Sequence, residues 1–216
     1  MPLPVVRSYR PADRDQVRAL AYATGFMGEP AAWYWGDFTS FADIWTSYYT
    51  DREPASAFVA DIEGRVVGFL VGCVDSVHAP TAEDAIRRAV IRRALFLRPG
   101  TAGFLWRAVR DARSTPAPPA EVPDPRWPSH LHINLLPEAR RGGVGTRLVQ
   151  AWFARLRGLG SPGCQLTTMA ENARAIAFFE RNGFRRHGEA VLLPGMRLRS
   201  GERMHLQVMV CELARV

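Results

Sequence analysis

Arg140-Arg141-Gly142-Gly143-Val144-Gly145 is the most informative segment of this chain. It follows a strand-like run over residues 130–136 and precedes apolar residues at helical spacing. A strand that passes through such a turn into a helix leaves main-chain N–H groups at the helix N-terminus, where the helix dipole favours negative charge. Glycine lets a phosphate approach the main chain, and arginine adds charge-assisted hydrogen bonds. The segment therefore predicts a phosphate or pyrophosphate site.

Strands and helices alternate after this turn. Periodicity predicts a helix over residues 143–157, a strand over 164–168, a helix over 172–182 that ends at Gly183, and strands from 184 and over 204–213. The first of these helices places five apolar residues on one side: Val144, Leu148, Val149, Trp152 and Leu156. This order is typical of a mixed sheet with helices packed on it.

The N-terminal half adds elements to the same sheet. We predict a strand over residues 5–9, a helix capped by Asp13 and Gln16 that ends at Gly25, a helix over 38–49, and a hairpin of 55–60 with 65–75. The aromatic run over residues 32–50 is either core packing or a pocket wall. We expect residues 1–216 to form one α/β (α+β) domain with a mixed central sheet of about six to seven strands flanked by helices.

Residues 76–129 form an expected insertion within that domain. Helices are predicted over residues 83–96 and 103–113, with paired arginines on the exposed side of the first. The proline-rich residues 115–125 cannot join a sheet interior and should form an extended surface loop. Because strands on both sides are needed for one sheet, we interpret this region as an insertion and not as a domain boundary.

The charge excess does not by itself indicate nucleic-acid binding. The chain has 28 basic and 21 acidic residues and a formal net charge of +7, and every basic residue is arginine. These arginines are scattered through predicted helices instead of forming a basic run with interleaved aromatics. A nucleotide-bearing substrate explains part of the excess equally well.

Cysteine spacing and hydropathy exclude other classes. Cys73, Cys164 and Cys211 are far apart without a CxxC pair, so we expect buried reduced thiols and no metal site. The first residues lack an apolar signal core, and no segment reaches the ~20 apolar residues of a membrane span. We expect a cytoplasmic protein without a membrane partner.

Two motifs carry a resemblance to a known family. The first is Pro137-x-x-Arg140-x-x-Gly143-x-Gly145 at the start of a helix. The second, one strand later, is Asn172-x-x-Ala175-x-x-Phe178-Phe179-x-x-x-Gly183-Phe184. Together they resemble the GCN5-related N-acetyltransferases (GNAT), closely over residues 130–187, and the flanking elements agree with the fold of that family. Residues 130–135 resemble, more loosely, the acetyltransferase-like domain attached to O-GlcNAcases.

The resemblance implies acetyl-coenzyme A (acetyl-CoA) as cosubstrate, with its diphosphate over the glycine-rich turn. The main-chain N–H groups of residues 141–146 would bind the diphosphate, and the side chains of Arg140 and Arg141 would lie nearby. The residues carried over for this contact are Arg140, Arg141, Gly142, Gly143, Val144, Gly145 and Thr146.

The same resemblance implies contacts to the pantetheine arm and the nucleotide. Main-chain groups of Leu135 and Leu136 would pair with the pantetheine amides, as an added strand would. Asn172 would hydrogen-bond the pantetheine arm or serve only as a helix cap. The other carried-over residues are Phe178 and Phe179 as the channel wall, at least one of them also in the core, and Arg181 near the nucleotide.

The implied chemistry is direct transfer of the acetyl group to an amine in a ternary complex. An alkylammonium has a pKa of ~10 and must first lose a proton, so a positioned base helps. His130, His132 and Asn134 alternate with apolar residues and share one face of their strand, as a pocket lining or as a satisfied core network. His132 is the favoured base because imidazole titrates near neutrality. A main-chain N–H around Leu135 would stabilise the oxyanion.

Two departures from the family pattern keep a second function open. The frequent base position, six residues before Leu135, falls on Ser129, on the face opposite His130 unless a β-bulge intervenes. The frequent tyrosine that protonates the thiolate corresponds to Phe179, which has no proton to donate. The chain is therefore predicted to be an N-acetyltransferase or, alternatively, a weak or inactive module that binds coenzyme A or a protein partner.

Two further features bear on the acceptor and on the oligomeric state. The acceptor of an N-acetyltransferase would be a small amine, an amino sugar or a peptide amine, and the arginines near the insertion favour an acidic one. The apolar C-terminal strand, with Leu206, Val208 and Val210, suggests pairing of edge strands in a homodimer.

Overall fold

The computed structural model describes residues 3–77, 79–113, 122–140 and 142–213. Arg141 and most of the proline-rich stretch, residues 115–121, lie outside these ranges, so the predictions made for them are untested. The account below concerns the described residues.

Seven strands form a single mixed sheet, as the sequence predicted. The strands are β1 (Val5–Ser8), β2 (Ala57–Ile62), β3 (Arg65–Cys73), β4 (Ser129–Leu135), β5 (Gly163–Met169), β6 (Arg185–Arg197) and β7 (Arg203–Glu212). Their spatial order is β1-β2-β3-β4-β5-β7-β6. Neighbours are antiparallel except β4 and β5 at the centre of the sheet, which run parallel.

Seven α-helices flank or extend this sheet. They are α1 (Arg14–Thr24), α2 (Phe38–Ala42), α3 (Tyr48–Arg52), α4 (Ala82–Arg92), α5 (Thr101–Ala112), α6 (Val144–Gly158) and α7 (Ala173–Arg181). A π-helical turn over Asp43–Ser47 joins α2 to α3, so the helix predicted over 38–49 is one irregular helical run. Sequence periodicity missed this turn, which rotates the residues that follow it relative to a regular α-helix.

Helix α6 packs on one face of the sheet through the five residues that the sequence placed together. Val144, Leu148, Val149, Trp152 and Leu156 are all 0–1% exposed. The indole of Trp152 fills the space above Gly72 of β3, where an added Cβ would lie 2.5 Å from the ring. A side chain at that position would therefore displace the tryptophan and separate helix from sheet.

Three apolar clusters divide the interior. One joins α6 and α7 to the sheet, and the second joins α1 and the first residues of α3 to its other face. The third lies beyond the sheet centre, where the aromatic run over residues 33–45 packs against α4, α5 and the β6–β7 hairpin. The insertion thus shares a core with the aromatic run, although the assignment of the whole chain to one domain stays a prediction.

Some local expectations were wrong. Asp13 precedes α1 but makes no side-chain cap to it. Its carboxylate instead accepts from Arg7 and from the main-chain N–H of Arg10. Gln16 does not close a capping box either, since its amide bonds Val66 N and Gly64 O in the hairpin. Long-range partners outcompeted the local cap that the spacing suggested.

The C-terminal strand is not a sheet edge. β7 pairs with β5 on one side and β6 on the other, which leaves β1 and β6 as the edges. The argument for a homodimer through an apolar edge strand at the C-terminus was therefore wrong in its premise. In the described ranges no helix has the length and hydropathy of a membrane span.

Candidate active site

The central strands separate where the glycine-rich turn begins. Strand β4 pairs with β5 only at Ser129 with Cys164 and at His130 with Gln165, within the part of the chain that is described. On its other side β4 stays in register with β3 from His130 through Leu135 without a shift, so it carries no bulge there. Ser129 therefore keeps the parity opposite to His130, and its hydroxyl donates to Val74 O at 2.7 Å.

Strand β4 presents main-chain groups to the gap at every second residue. The N–H of Leu136 donates to Val67 O at 2.9 Å, so the hydrogen-bonded pairs with β3 fall at residues 136, 134 and 132. The main-chain groups of Leu135 and Ile133 consequently point toward β5 and the gap. Leu136, predicted together with Leu135, has no such role, because its carbonyl also accepts from Ala139 N.

The turn before α6 offers several N–H donors that have no acceptor among the described residues. Gly142 and Gly143 have φ values of 94° and 73°, a conformation that favours glycine, and a Cβ on either would enter open space. The first intrahelical bond runs from Arg147 N to Gly143 O at 3.0 Å. No described residue accepts from the N–H groups of residues 142–146. These donors at a helix N-terminus fit an anionic diphosphate.

Helix α7 closes the other side of the gap. Gly145 allows the ring of Phe178 to lie against α6, because a Cβ there would be 2.9 Å from that ring. Asn172 caps α7, with Oδ1 accepting from Ala175 N at 3.1 Å, while its side chain lines the cleft. Phe179 is 6% exposed and packs on Phe184, as a core residue does. The cap and the core packing were both anticipated.

Two arginines beside the gap form hydrogen bonds to the loop that follows α1. Arg140 donates from Nε to Leu135 O at 3.1 Å and from Nη2 to Gly28 O at 2.6 Å. Arg174 donates to Met27 O at 3.2 Å. Burial, followed by the charge of Arg174, lowers the pKa of Arg140. Arg140 was expected beside the diphosphate, but its guanidinium is bound to two carbonyls instead.

A cleft of about 1870 Å³ passes from the turn to the aromatic run and the insertion. Ligand pockets for one small molecule have about 300–1,000 Å³, so this cleft has room for two substrates. Its cofactor end brings together most of the predicted binding residues: Leu135, Arg140, Gly143, Val144, Gly145, Thr146, Asn172, Phe178, Phe179 and Arg181. Its other end, the acceptor end, contains Trp45, Tyr49 and one side of α4.

His130 is held by hydrogen bonds on both ring nitrogens. Its Nε2 lies 2.8 Å from the hydroxyl of Tyr49, and its Nδ1 lies 2.7 Å from the hydroxyl of Ser76. The residue is 5% exposed. It therefore belongs to a buried polar network that reaches the cleft wall through Tyr49.

His132 lies two residues along the same face and is half-buried. Its ring contacts the edges of Trp45 and Tyr49, with centroid distances of 5.6 and 5.4 Å. It makes no hydrogen bond to any described residue. Burial, and then the neighbouring His130, lower the pKa of His132 to about 3. The imidazole is therefore neutral at physiological pH, which weakens its candidacy as the base.

Asn134 is used to fix the end of α1. Its Nδ2 donates to Thr24 Oγ1 at 2.8 Å and to Thr24 O at 3.3 Å. The three polar residues of β4 share one face, as predicted, but only His130 and His132 contact the aromatic side chain of Tyr49. Asn134 thus positions the loop after α1.

Sequence reasoning missed the residues that come from distant segments. Tyr49 and Trp45 were seen only as part of an aromatic run, and Arg174 only as a helical residue. No local pattern marks Tyr49, since its partner His130 is 81 residues away. The three cysteines are buried and unpaired, as expected, and burial raises the pKa of Cys73 to about 12. Among the described residues no cluster of His, Cys, Asp or Glu could hold a metal ion.

Comparison with known proteins agrees with this geometry. Residues 113–186 match a family model described as an acetyltransferase (GNAT) domain. SsHAT is similar in structure, with a TM-score of 0.65 and 23% identity over 99% of this chain and 100% of that one. The ribosomal-protein-alanine N-acetyltransferase from Brucella melitensis has a TM-score of 0.59 and 18% identity over 97% and 99%.

A third similar structure was solved with a bound ligand. The protein yncA from Salmonella typhimurium, with its cofactor acetyl-CoA, has a TM-score of 0.60 and 14% identity over 100% of this chain and 96% of that one. The chain therefore has the acyl-CoA N-acyltransferase fold, and the GNAT model matches the region that carries the two motifs, in agreement with the resemblance drawn from them. The looser likeness to O-GlcNAcase domains is untested.

Proposed function

We propose that this protein is an N-acetyltransferase that moves the acetyl group of acetyl-CoA to an amine bound at the acceptor end of the cleft. One observation carries the proposal: an open turn, whose N–H groups have no described acceptor, lies beside a gap between two parallel strands. The turn fits a diphosphate and the gap fits an extended amide chain, so both parts of coenzyme A have a place.

The residues at the gap would orient the thioester. Leu135 N–H points into the gap and would stabilise the oxyanion that develops on the carbonyl. The side-chain oxygen of Asn172 caps α7, so its amide nitrogen would donate a hydrogen bond to the pantetheine arm. Phe178 would exclude water from one side, and Arg181 would approach the nucleotide. Arg140 would hold the loop after α1 in place. Coenzyme A would supply the activated acetyl group and a thiolate leaving group.

The acceptor end favours an amine that also carries a negative charge. Arg52, Arg88 and Arg92 line it without an ion pair to any described residue. Its carboxylates Asp43 and Asp51 are already bound by Arg18 and Arg14, at 2.6 and 3.0 Å, which leaves Glu83. A simple alkylammonium would be repelled there, whereas an amino acid or another amine with a carboxylate or phosphate would not.

The alternative is a module that binds coenzyme A without turnover. Phe179 supports it, because a buried phenyl ring cannot protonate the leaving thiolate. A thiol, however, is acidic enough to leave as thiolate near neutral pH. His132 at the acceptor end also gives the amine a neutral hydrogen-bond acceptor. These two points favour the enzyme. A cytoplasmic location and homodimerisation remain predictions.

Two measurements test the proposal in sequence. Calorimetry with acetyl-CoA should give a micromolar Kd, and absence of binding would overturn both the enzyme and the binding module. A thiol-release assay with amino acids, their amides, amino sugars and peptides should then give acetyl-CoA-dependent turnover. Tight binding without turnover on any of them would favour the module.

A further inference from the structure

The amine must lose a proton, and His132 is poorly suited to take it. Its ring lies among aromatic groups and stays neutral over the physiological range, because burial lowers the pKa to about 3. It can accept a hydrogen bond from an ammonium and orient it. A second group with a stronger hold on a proton is needed within reach of the same amine.

The hydroxyl of Tyr49 and the imidazole of His130 form a hydrogen-bonded pair beside His132. Tyr49 is part of the cleft wall, its ring touches His132, and its hydroxyl lies 2.8 Å from His130 Nε2. Neutral imidazole carries one hydrogen, so one ring nitrogen donates and the other accepts. When Nδ1–H donates to Ser76 Oγ at 2.7 Å, the bare Nε2 faces the tyrosine.

We propose that Tyr49 and His130 act as a proton-relay pair for the acceptor amine, with Ser76 fixing the tautomer of His130. The ammonium N–H bond breaks as its proton passes to Tyr49 Oη, while the phenolic proton of Tyr49 passes to His130 Nε2. The products are a neutral amine, a neutral tyrosine and an imidazolium that keeps its Nδ1–H bond to Ser76. After the acetylated amine leaves, the same proton returns through Tyr49 to water.

This inference rests on the proposed function. Tyr49 would be the catalytic residue, since it touches the amine, whereas His130 and Ser76 act through it. The titratable groups that face His130 from the described elements are Tyr49 of α3, Cys73 opposite it on β3, and His132 on β4. Cys73 stays a neutral thiol, because burial raises its pKa to about 12. Cys73 and His132 therefore do not take up the proton near neutral pH.

The kinetic test uses Tyr49→Phe, His130→Gln and their double variant, with Tyr48→Phe as the matched control. The hydroxyl of Tyr48 donates to Glu53 at 2.7 Å and does not reach His130. Each single variant should lower kcat at pH 7 by about 100-fold or more, a usual size for general-base catalysis. The double variant should be no worse than either, because the two residues act as a unit.

The pH profile separates this role from a structural one. Loss in Tyr49→Phe and His130→Gln should shrink as pH approaches 10, where the amine deprotonates unaided. The Kd for acetyl-CoA of Tyr49→Phe should stay within error of the parent, with a loss of melting temperature no larger than one buried hydrogen bond explains. A loss that is equal at every pH, or parent-like kcat at pH 7 in either single variant, would overturn the relay.

A readout without turnover tests the tautomer directly. In ¹⁵N-histidine spectra, with His130→Gln for assignment, Nε2 of His130 should be unprotonated at pH 7 and Nδ1 protonated, and Ser76→Ala should make the two tautomers mix. A hydrogen on Nε2 would overturn the relay even if the parent turns over. A parent that binds acetyl-CoA but acetylates no amine would instead overturn the enzymatic proposal, and the relay with it.

Discussion

The two ends of the cleft are built in opposite ways. At the cofactor end, the groups proposed to face the ligand are mostly main-chain atoms of two short segments, the turn over residues 142–146 and the strand end at Leu135. At the acceptor end, they are side chains from the aromatic run, β4 and the insertion, brought together across long sequence separations. Main-chain recognition depends on glycines at fixed spacing, whereas side-chain recognition depends on the whole fold.

The strongest expected effect belongs to the cofactor end. Gly143→Glu should lower acetyl-CoA affinity by about 100-fold or more, because it puts a carboxylate and bulk at a helix N-terminus that favours anions. Gly160→Glu is the matched control at the opposite end of α6. It has a similar φ, 68° against 73°, and its added Cβ also meets nothing within 4 Å.

Both variants carry the same backbone strain and charge change, so calorimetry isolates the diphosphate site. Gly160→Glu should bind as the parent does, with a comparable loss of melting temperature in both. Equal affinity in Gly143→Glu and the parent would show that the diphosphate lies elsewhere.

This contrast explains what the sequence could and could not reveal. The turn, the left-handed Gly183 and the apolar side of α6 are local features, and each was predicted because spacing alone determines them. Leu136 was misassigned, since which main-chain groups face the gap depends on the register of β4 against β3.

The acceptor end resisted prediction for a different reason. The π-turn before α3 and the contact between Tyr49 and His130 arise from tertiary packing, which leaves no periodic trace. The polar face of β4 was predicted, but the sequence does not show which of its residues have a structural role. Asn134 donates a hydrogen bond to Thr24, whereas the ring nitrogens of His132 have no described partner.

The choice of acceptor should depend on the positive charge at the acceptor end more than on any single contact there. Arg88→Ala with Arg92→Ala should lower the preference for an amino acid over its amide by about tenfold, from about 0.7 kcal/mol per lost charge pair at a solvated site. Arg87→Ala is the control, since Arg87 is paired with Asp84 at 2.7 Å and does not line the cleft.

The ratio of kcat/KM for the two amines measures this preference, and the Kd for acetyl-CoA should not change. If this ratio is unchanged in the double variant, the arginines of α4 form only a solvated helix face and do not select the acceptor.

Helix caps at the two ends give a smaller, matched contrast. Asn172→Ala and Thr81→Ala each remove an N-cap bond, to Ala175 N and to Asp84 N, and each should cost about 1 kcal/mol of unfolding free energy. Only Asn172→Ala should also weaken acetyl-CoA binding, by about tenfold, through the lost amide contact to the pantetheine arm. If both caps leave the Kd unchanged, Asn172 is a cap and nothing more.

The last contrast concerns the acid stability of the acceptor end. The folded-state pKa of His132, about 3, lies below its usual value of 6.5. As the pH falls below 6.5, the unfolded chain therefore takes up a proton that the folded protein refuses, and stability is lost progressively toward pH 3. Denaturant unfolding of His132→Asn between pH 7 and 4 should show a shallower loss than the parent, by at most about 1.4 kcal/mol per pH unit. Both proteins carry the same carboxylates, so the difference between the slopes belongs to His132. Identical slopes would mean that water reaches the ring and that the acceptor end is more open than its aromatic walls imply.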